Sequence, residues 1–402
     1  MITLNLHINY DCPLSCRYCC QRQNPNLLEA YFTAEEMIEV VQKFMTVKNV
    51  EKCNVNISGG EPLLKFKDIQ KLMETFPNNS YEISTSGYLL TAEKAKFFSY
   101  YDVNYILSVD GGEKVTNYLR PLANGEQGYF KKLKENIPHI LYYAPKTRAK
   151  LIVSKNLISE VFNTYLELER LGFQEIFITP NVYENEVDTF HPELETGSWK
   201  EKEWNLFREQ IFKILKEIEL GLLNNKKRCM ISNIFNVIIR MITPNIGEHY
   251  NKNKLICEVL DFKGGTSPKH GQIPEMLNNE LSLCLVGAND KTLKNQTDLL
   301  QRIEEDYKKL TGVCPRDENC PYQSTCIYTT CLSENLKSKH GNILIASHFQ
   351  CQTQKIYHDS AMLLFNFLNN IENDASKYYW YEIFYRKEVL LQNGNLLSSF
   401  ES

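Results

Sequence analysis

The feature that most restricts the fold of this chain is a repeated alternation between residues 3 and 179. Short apolar runs there alternate with longer segments whose apolar residues recur at helical spacing, which is typical of βα units around a parallel sheet. Six units predict an α/β fold, a partial (β/α)6 barrel of the TIM type, because right-handed crossovers curl parallel strands into a barrel wall. The strands are predicted at Leu4–Ile8, Asn54–Ile57, Tyr81–Ser84, Tyr105–Ser108, Ala149–Ser154 and Glu175–Ile178.

Amphipathic segments between these strands predict the helices of the units. The first begins with a capping box, in which the Thr33 hydroxyl and the Glu36 carboxylate satisfy each other's backbone amides. Barrels of this type carry their chemistry at the C-terminal ends of the strands, so we expect functional residues just after each strand. The helices are predicted at Thr33–Met45, Phe66–Phe76, Thr91–Phe98, Tyr129–Asn136 and Ser159–Leu171.

The composition is ordinary for a globular protein except in cysteine. The 402 residues are 43% hydrophobic and 23% charged, and the formal net charge of −4 gives no electrostatic case for nucleic acid. No run approaches the ~20 apolar residues of a membrane-spanning helix, and the first residues lack a targeting pattern, so we expect a cytoplasmic protein with no membrane partner. Thirteen cysteines then indicate metal or redox chemistry, since disulfides are rare in a reducing compartment.

Three of these cysteines follow the first predicted strand in a C-x3-C-x2-C loop, at Cys12, Cys16 and Cys19. Three thiolates in one loop can hold three irons of a [4Fe–4S] cluster and leave the fourth iron open to a chelating ligand. Zinc is the alternative, but structural zinc sites usually close with four ligands. Cys20 is a poor fourth ligand because adjacent residues rarely reach the same ion.

Polar and glycine-rich segments also follow the next three predicted strands. Gly59, Gly60 and Glu61 come after the second strand; the glycines allow a backbone to approach a ligand closely, and the carboxylate suits an ammonium group. The sequence Thr-Ser-Gly at residues 85–87 follows the third strand, and Ser-Val-Asp-Gly at residues 108–111 follows the fourth.

These four segments resemble motifs of the radical S-adenosylmethionine (SAM) superfamily. The GGEP motif of that family matches residues 59–62, and the segments at 85–87 and 108–111 are similar to its Thr-Asn-Gly and Ser-x-Asp-Gly segments, with Ser86 in the place of Asn. The family loop C-x3-C-x-aromatic-C matches Cys12, Cys16, Tyr18 and Cys19. The resemblance implies an enzyme in which a [4Fe–4S] cluster cleaves SAM, and the 5′-deoxyadenosyl radical removes a substrate hydrogen.

The resemblance also implies roles for individual residues in cofactor binding. Tyr18 would lie against the adenine, while Gly59, Gly60 and Glu61 would hold the methionine amino end. Ser108 would reach the ribose or the carboxylate. Either of two arginines would pair with the carboxylate through its guanidinium, the alternative for each being a solvated surface charge: Arg120 and Arg148. A reductant such as flavodoxin or ferredoxin would supply the electron.

Seven further cysteines lie in a stretch with little regular periodicity, from Cys257 to Cys351. Their number and grouping resemble the SPASM domain of peptide and protein maturases, which binds two auxiliary iron–sulfur clusters. The spacing departs from the family quartet C-x2-C-x5-C-x3-C, of which only the central interval is kept, and zinc knuckles are the alternative. The resemblance implies one auxiliary [4Fe–4S] cluster on Cys257, Cys284 and Cys331 and another on Cys314, Cys320, Cys326 and Cys351.

The remaining cysteines, Cys20, Cys53 and Cys229, are expected to be partly buried free thiols, although Cys229 is alternatively a further cluster ligand. The pattern as a whole predicts four segments. These are a radical SAM partial barrel over residues 1–190, a helical linker over 191–255, a SPASM-like cluster domain over 256–352 and a helical tail over 353–402.

The two resemblances together imply an oxidoreductase-type maturase that crosslinks or otherwise modifies a ribosomally synthesised peptide. An anaerobic sulfatase-maturing enzyme, which makes formylglycine, is the alternative, with Asp261 as a possible catalytic acid. A small-molecule oxidoreductase and a zinc-binding adaptor without catalysis are further alternatives. Because the first strand starts at Leu4, we expect no leader-binding module before the barrel, and a separate protein or the aromatic C-terminal tail would recognise a leader peptide.

Overall fold

The computed structural model describes residues 3–19, 32–47, 49–125, 128–181, 199–243, 259–260, 320–322 and 348–398. Internal contacts divide the chain into two compact units. Unit 1 comprises the described residues within 1–109, 113–148 and 256–305, and unit 2 those within 110–112, 149–255 and 306–402. The boundaries predicted at residues 190, 255 and 352 divide the chain differently, and they stay a prediction.

The described part of the chain contains eight strands, and every strand pairing given for them is parallel. The first six reproduce the predicted strands to within one to three residues at each end. Two short strands were not predicted, since two residues are too few to show a period. The strands are β1 (Thr3–His7), β2 (Asn54–Ser58), β3 (Ser80–Thr85), β4 (Asp102–Ser108), β5 (Arg148–Val153), β6 (Glu175–Pro180), β7 (Met230–Ile231) and β8 (Val259–Leu260).

Ten helices connect or follow these strands within the described ranges. The predicted capping box is confirmed, because Thr33 donates its backbone amide to Glu36 Oε2 at 2.8 Å and Glu36 donates its own amide to Thr33 Oγ1 at 3.3 Å. The helices are α1 (Ala34–Val47), α2 (Phe66–Thr75), α3 (Ala92–Phe98), α4 (Glu113–Leu119), α5 (Tyr129–Tyr143), α6 (Val161–Arg170), α7 (Glu201–Leu223), α8 (Ser232–Met241), α9 (His348–Asn369) and α10 (Asp374–Ser398).

The sheet of unit 1 has the strand order β8, β1, β2, β3, β4 and two different faces. One face is apolar and fully buried, as at Leu4, Val55 and Tyr81, which are paired in register. This face packs against helices: Phe98 of α3 meets Tyr105 of β4 edge to face at 6.0 Å between ring centroids. The alternation of buried and half-buried side chains follows from the two-residue period of a strand.

The other face of this sheet carries a row of polar side chains, which we call the polar row. Four residues of adjacent strands are paired across it in register and are half-buried: Asn5, Asn56, Glu82 and Asn104. Asn56 donates its side-chain amide to Asn5 Oδ1 at 2.9 Å. The face opposite the helices is therefore polar rather than apolar.

Unit 2 is built around β5, β6 and β7, which pair in that order. Tyr357 of α9 donates its hydroxyl to the Ile178 carbonyl at 2.6 Å, and Arg386 of α10 forms a bidentate ion pair with buried Glu175, at 2.8 and 2.7 Å. Both C-terminal helices are thus fixed to β6. Cys351 lies in the first turn of α9, although the prediction placed it in a loop-rich stretch that ends at residue 352.

Within these ranges, no helix is both long enough and apolar enough to cross a lipid bilayer.

Candidate active site

The cysteine loop follows β1 in unit 1, where the prediction places it. Cys12, Cys16 and Cys19 are half-buried thiols, and Leu14 donates its backbone amide to Cys12 Sγ at 3.4 Å. Burial raises the pKa of Cys12 to about 12, and the negative charges of Cys16, Glu61 and Cys19 act in the same direction. The three thiols therefore lie near enough to repel one another as anions, and a bound cationic metal centre is what would favour their thiolate form.

The donor set of three cysteine thiols in one loop is of the kind that a [4Fe–4S] cluster uses. In the described ranges, no group of three or more His, Cys, Asp or Glu side chains is arranged to hold a single metal ion. Zinc requires its sulfur ligands around one ion at ~2.3 Å. In a [4Fe–4S] cluster each thiolate binds a different iron, so the sulfurs lie further apart.

The Gly59–Gly60 pair brings the end of β2 against the chain that leads into the cysteine loop. Gly60 donates its amide to the Asn9 carbonyl at 2.8 Å, and Glu61 donates its amide to the Asp11 carbonyl at 2.7 Å. A Cβ atom on Gly60 would collide with the carbonyl oxygens of Tyr10 and Asp11. We expected these glycines to approach a ligand, but the close approach that the structure shows is to residues 9–11.

The Glu61 carboxylate is fully buried and accepts four hydrogen bonds from the protein. Oε1 accepts from the Leu63 amide at 3.1 Å and from the Thr85 hydroxyl at 2.6 Å, and Oε2 accepts from the Ser86 amide at 2.9 Å and from the Ser86 hydroxyl. The carboxylate thus joins the loops that follow β2 and β3. Neither Thr85 nor Ser86 was predicted as its partner, and the role of Glu61 at the methionine amino end of SAM stays a prediction.

The ends of β3 and β4 are joined in turn by Tyr129 of α5. Its hydroxyl lies 2.8 Å from the Ser86 carbonyl and 2.9 Å from the Ser108 carbonyl. Gly87 has φ +75°, a conformation that favours glycine, and its carbonyl accepts from the Asn136 amide at 2.9 Å. Ser108 is half-buried and belongs to the same face of β4 as the polar row. The three predicted segments that follow β2, β3 and β4 are therefore linked to one another and to the chain that leads into the cysteine loop.

The structure separates the two arginines that were weighed as partners of a carboxylate. Arg148 is the first residue of β5, at the amino end of that strand, and its guanidinium pairs with Glu82. Arg120 lies against the cysteine loop instead: its Nη1 is 3.8 Å from Cys16 Sγ, and its guanidinium carbon is 5.2 Å from the centroid of the Tyr18 ring. The structure thus brings Arg120 to the site and does not bring Arg148 there.

The second cysteine region lies mostly outside the described residues, as do Cys20 and Asp261. Of its seven cysteines, Cys320 and Cys351 are described, both as half-buried thiols of unit 2, so the partition of ligands between auxiliary clusters stays a prediction. Cys53 and Cys229 are buried, and burial raises the pKa of each thiol. Outside the described residues lie Cys257, Cys284, Cys314, Cys326 and Cys331.

His7, at the end of β1, is a buried titratable residue that sequence analysis did not single out. Its side chain is 1% exposed, Nδ1 lies 3.3 Å from Ser58 Oγ, and burial lowers its pKa to about 4. His7 lies on the same face of β1 as Thr3 and Asn5, but unlike them it is buried. The signal available in the sequence was therefore one polar side chain at a strand end close to the cysteine loop.

Because the imidazole is buried, the unfolding free energy of the protein should decrease as the pH falls. In the unfolded chain His7 binds a proton with a pKa near 6.5, whereas in the folded chain burial lowers this pKa to about 4. The contribution of neutral His7 to the unfolding free energy is therefore complete above pH 6.5 and decreases below it. Between pH 7.5 and pH 5, we expect the unfolding free energy of the wild type to decrease by about 2 kcal/mol more than that of His7→Gln.

Urea unfolding at a series of pH values between 7.5 and 5 measures this difference, and His139→Gln at an exposed position of α5 is the matched control. Parallel pH profiles of wild type and His7→Gln would show that the imidazole is protonated in the folded protein.

Comparison with known proteins identifies one domain of the chain. Residues 6–141 match the Radical SAM superfamily, and this span contains the cysteine loop, the Gly-Gly-Glu-Pro segment and the other two strand-end segments. The chain carries a radical SAM domain. The prediction made from the four motifs is thereby confirmed.

Curated relatives match the chain over part of its length. The radical SAM cyclopropyl synthase TigE of Paramaledivibacter caminithermalis is 22% identical over 248 residues, which are 54% of this chain and 52% of TigE. A cysteine-type anaerobic sulfatase-maturating enzyme of Clostridium novyi is 24% identical over 181 residues, 42% of this chain and 48% of that enzyme. The chain thus spans about half the length of the curated relatives it matches.

Solved structures match the chain over most of its length. The structure of anSMEcpe with bound AdoMet has a TM-score of 0.67 at 19% identity and covers 92% of this chain and 100% of its own. SuiB of Streptococcus suis bound to S-adenosylmethionine has a TM-score of 0.57 at 14% identity and covers 87% of this chain and 77% of its own. These likenesses confirm the predicted fold class, an α/β fold whose open parallel sheet forms a partial barrel.

Proposed function

We propose that this protein is a radical SAM maturase that removes a hydrogen atom from a peptide substrate and forms a crosslink or a related modification in a ribosomally synthesised peptide. The observation that carries the proposal is the cysteine loop, which lies at the strand ends of unit 1 and is held there by the backbone of Gly60 and Glu61. Three half-buried thiols at this end of a parallel sheet suit a cluster that faces the barrel interior.

Cys12, Cys16 and Cys19 would hold a [4Fe–4S] cluster, whose fourth iron remains for SAM. When bound, the cluster and SAM supply an electron and a 5′-deoxyadenosyl radical that takes a hydrogen atom from the substrate. The chain positions these cofactors: the Glu61 carboxylate fixes the loops after β2 and β3, and Tyr18 offers an aromatic ring to the adenine. Residues 59–61 would hold the methionine amino end of SAM, and Ser108 would reach its ribose or its carboxylate.

A peptide substrate suits the polar face of the sheet in unit 1, opposite the face that packs against helices. The polar row presents the side-chain amides of Asn5, Asn56 and Asn104, and a peptide main chain needs such partners because each unpaired amide buried away from water costs free energy. Two neighbours of similar fold were solved with peptides, anSMEcpe with the Cp18Cys peptide and SuiB with its precursor peptide SuiA. Both the polar row and these neighbours favour a peptide over an apolar small molecule.

The remaining parts of the proposal rest on the resemblance to the SPASM domain. Two auxiliary [4Fe–4S] clusters would be bound by the seven C-terminal cysteines, with Cys320 and Cys351 on the same cluster. Flavodoxin or ferredoxin would deliver the electron, and a separate protein would present the leader peptide. We place the enzyme in the cytoplasm, because iron–sulfur clusters with thiolate ligands need a reducing compartment.

Sulfatase maturation is the second candidate, and the likeness to the Clostridium novyi enzyme favours it. The two functions give different products from different substrates. A crosslink within one peptide removes one pair of hydrogen atoms, whereas formylglycine carries an aldehyde that a hydrazide reagent captures.

The test is an anaerobic assay of the reconstituted protein with SAM and a low-potential reductant. We expect a brown protein with iron and acid-labile sulfide that forms 5′-deoxyadenosine. We expect a short peptide encoded beside its gene to lose a pair of hydrogen atoms, which mass spectrometry detects. An aldehyde on a sulfatase peptide would select the second candidate, and a colourless protein that contains only zinc would exclude both.

A further inference from the structure

The cysteine loop is bound along its length to the segment that follows α4. Ser15 donates its amide to the Pro121 carbonyl at 2.6 Å, Arg17 donates its amide to the Leu119 carbonyl at 2.9 Å, and the Ala123 amide donates to the Pro13 carbonyl at 2.8 Å. The two segments run antiparallel, as in a short β ladder. This pairing holds residue 120 beside residue 16 whatever the two side chains are.

Arg120 uses that position to reach Cys16. Its side chain is 6% exposed, its Nη1 donates toward Cys16 Sγ at 3.8 Å, and its guanidinium lies over the Tyr18 ring. Arg17 is the neighbouring arginine of the loop, and its guanidinium contacts a different residue: Nε donates to the Tyr118 carbonyl at 2.7 Å, and the group lies 4.5 Å from the centroid of the Tyr118 ring. One arginine thus meets a ligand sulfur and the other a tyrosine.

The location of the Arg120 charge has an electrostatic consequence for a cluster bound at Cys16. A guanidinium stays positive at any ordinary pH, and its charge acts strongly at a buried position, where solvent screens it little. Reduction adds one negative charge to an iron–sulfur cluster, and net charge and hydrogen bonds to the sulfurs set its potential. A buried cation that donates to a ligand sulfur therefore stabilises the reduced cluster.

We propose that Arg120 is a positioning residue that orients the Cys16 thiolate and raises the reduction potential of the cluster held by Cys12, Cys16 and Cys19. The inference rests on the proposed function, since it requires a cluster at these cysteines. It assigns to Arg120 contact with the cluster ligand in place of the carboxylate pairing that its sequence position suggested.

The test is a redox titration of the reconstituted protein without SAM, followed by electron paramagnetic resonance, together with iron and sulfide analysis. We expect Arg120→Gln to keep the wild-type content of iron and sulfide and to show a lower midpoint potential. Arg120→Lys keeps the charge on a shorter donor, so we expect its potential to lie between those of Arg120→Gln and the wild type. Arg17→Gln is the matched control and is expected to keep the wild-type potential.

Equal midpoint potentials in Arg120→Gln and the wild type would overturn the inference. It would also be overturned if Arg17→Gln lowered the midpoint potential as much as Arg120→Gln does, because the effect would then not depend on contact with Cys16. If Arg120→Gln holds too little cluster to titrate, the iron content of Arg120→Lys decides: a content restored to the wild-type level supports the role of the charge, and one as low as in Arg120→Gln refutes it. If the wild type holds no [4Fe–4S] cluster, the proposed function itself is wrong. If the wild type holds the cluster and the potentials do not differ, only the role proposed for Arg120 is wrong.

Discussion

Replacing any one of Cys12, Cys16 and Cys19 by alanine is expected to abolish the formation of 5′-deoxyadenosine from SAM. Each thiolate would hold a different iron of the cluster, so no other ligand of the loop can replace a lost one. Leu14, which donates to Cys12 Sγ, and Arg120, which donates toward Cys16 Sγ, would each lose its sulfur acceptor. The measurement is anaerobic incubation with SAM and a reductant, with the nucleoside quantified by chromatography and the iron determined on the same sample.

The chain offers matched controls for this loss. Cys53→Ala removes a fully buried thiol of unit 1 that no proposed role uses, and we expect it to retain both the cluster and 5′-deoxyadenosine formation. Cys320→Ala and Cys351→Ala are expected to retain cleavage of SAM and to lose the peptide product, because the proposed auxiliary cluster is separate from the SAM site. Undiminished nucleoside formation after loss of Cys12, Cys16 or Cys19 would show that the cluster is held elsewhere.

The elements of unit 1 could be predicted from the sequence because their signals are local. Strands with alternating buried side chains, such as β2 and β3, carry the period of two residues in the sequence itself. The Thr33 and Glu36 capping box lies within four residues. The cysteine loop was identified for the same reason, since its ligand spacing is a property of one continuous segment.

The partners inside the site could not be predicted, because they are fixed by contacts between segments distant in sequence. Nothing near Arg120 or Arg148 indicates which of them reaches the cysteine loop, since that depends on the antiparallel register of residues 13–17 against 119–123. Likewise, Glu61 looked available to a ligand until the strand order placed the loop after β3 beside it. The spacing of residues predicted which segments form the site. Contacts between segments distant in sequence determine which side chains of those segments reach it.

That buried carboxylate supports the second large effect, a loss of stability in Glu61→Gln. Each carboxylate oxygen accepts from one backbone amide, Oε1 from Leu63 and Oε2 from Ser86. A glutamine has one NH2 group and must place it against one of these amides in either orientation of its side chain. The hydroxyls of Thr85 and Ser86 can rotate, but a backbone amide cannot become an acceptor. We therefore expect a decrease of about 3 kcal/mol in the unfolding free energy, from one buried mismatch and the loss of charge-assisted hydrogen bonds.

Urea unfolding at pH 7.5 measures this decrease, with Glu74→Gln as the matched control. Glu74 lies in the same part of the chain, is exposed, and accepts one hydrogen bond from Gln70 at 2.9 Å, so its substitution should change the unfolding free energy by less than about 0.5 kcal/mol. Because the change at Glu61 preserves size and shape, the difference between the two variants isolates the mismatch with the backbone amides. A Glu61→Gln protein as stable as Glu74→Gln would mean that the carboxylate is not held by these amides, and it would restore Glu61 as a group available to the amino end of SAM.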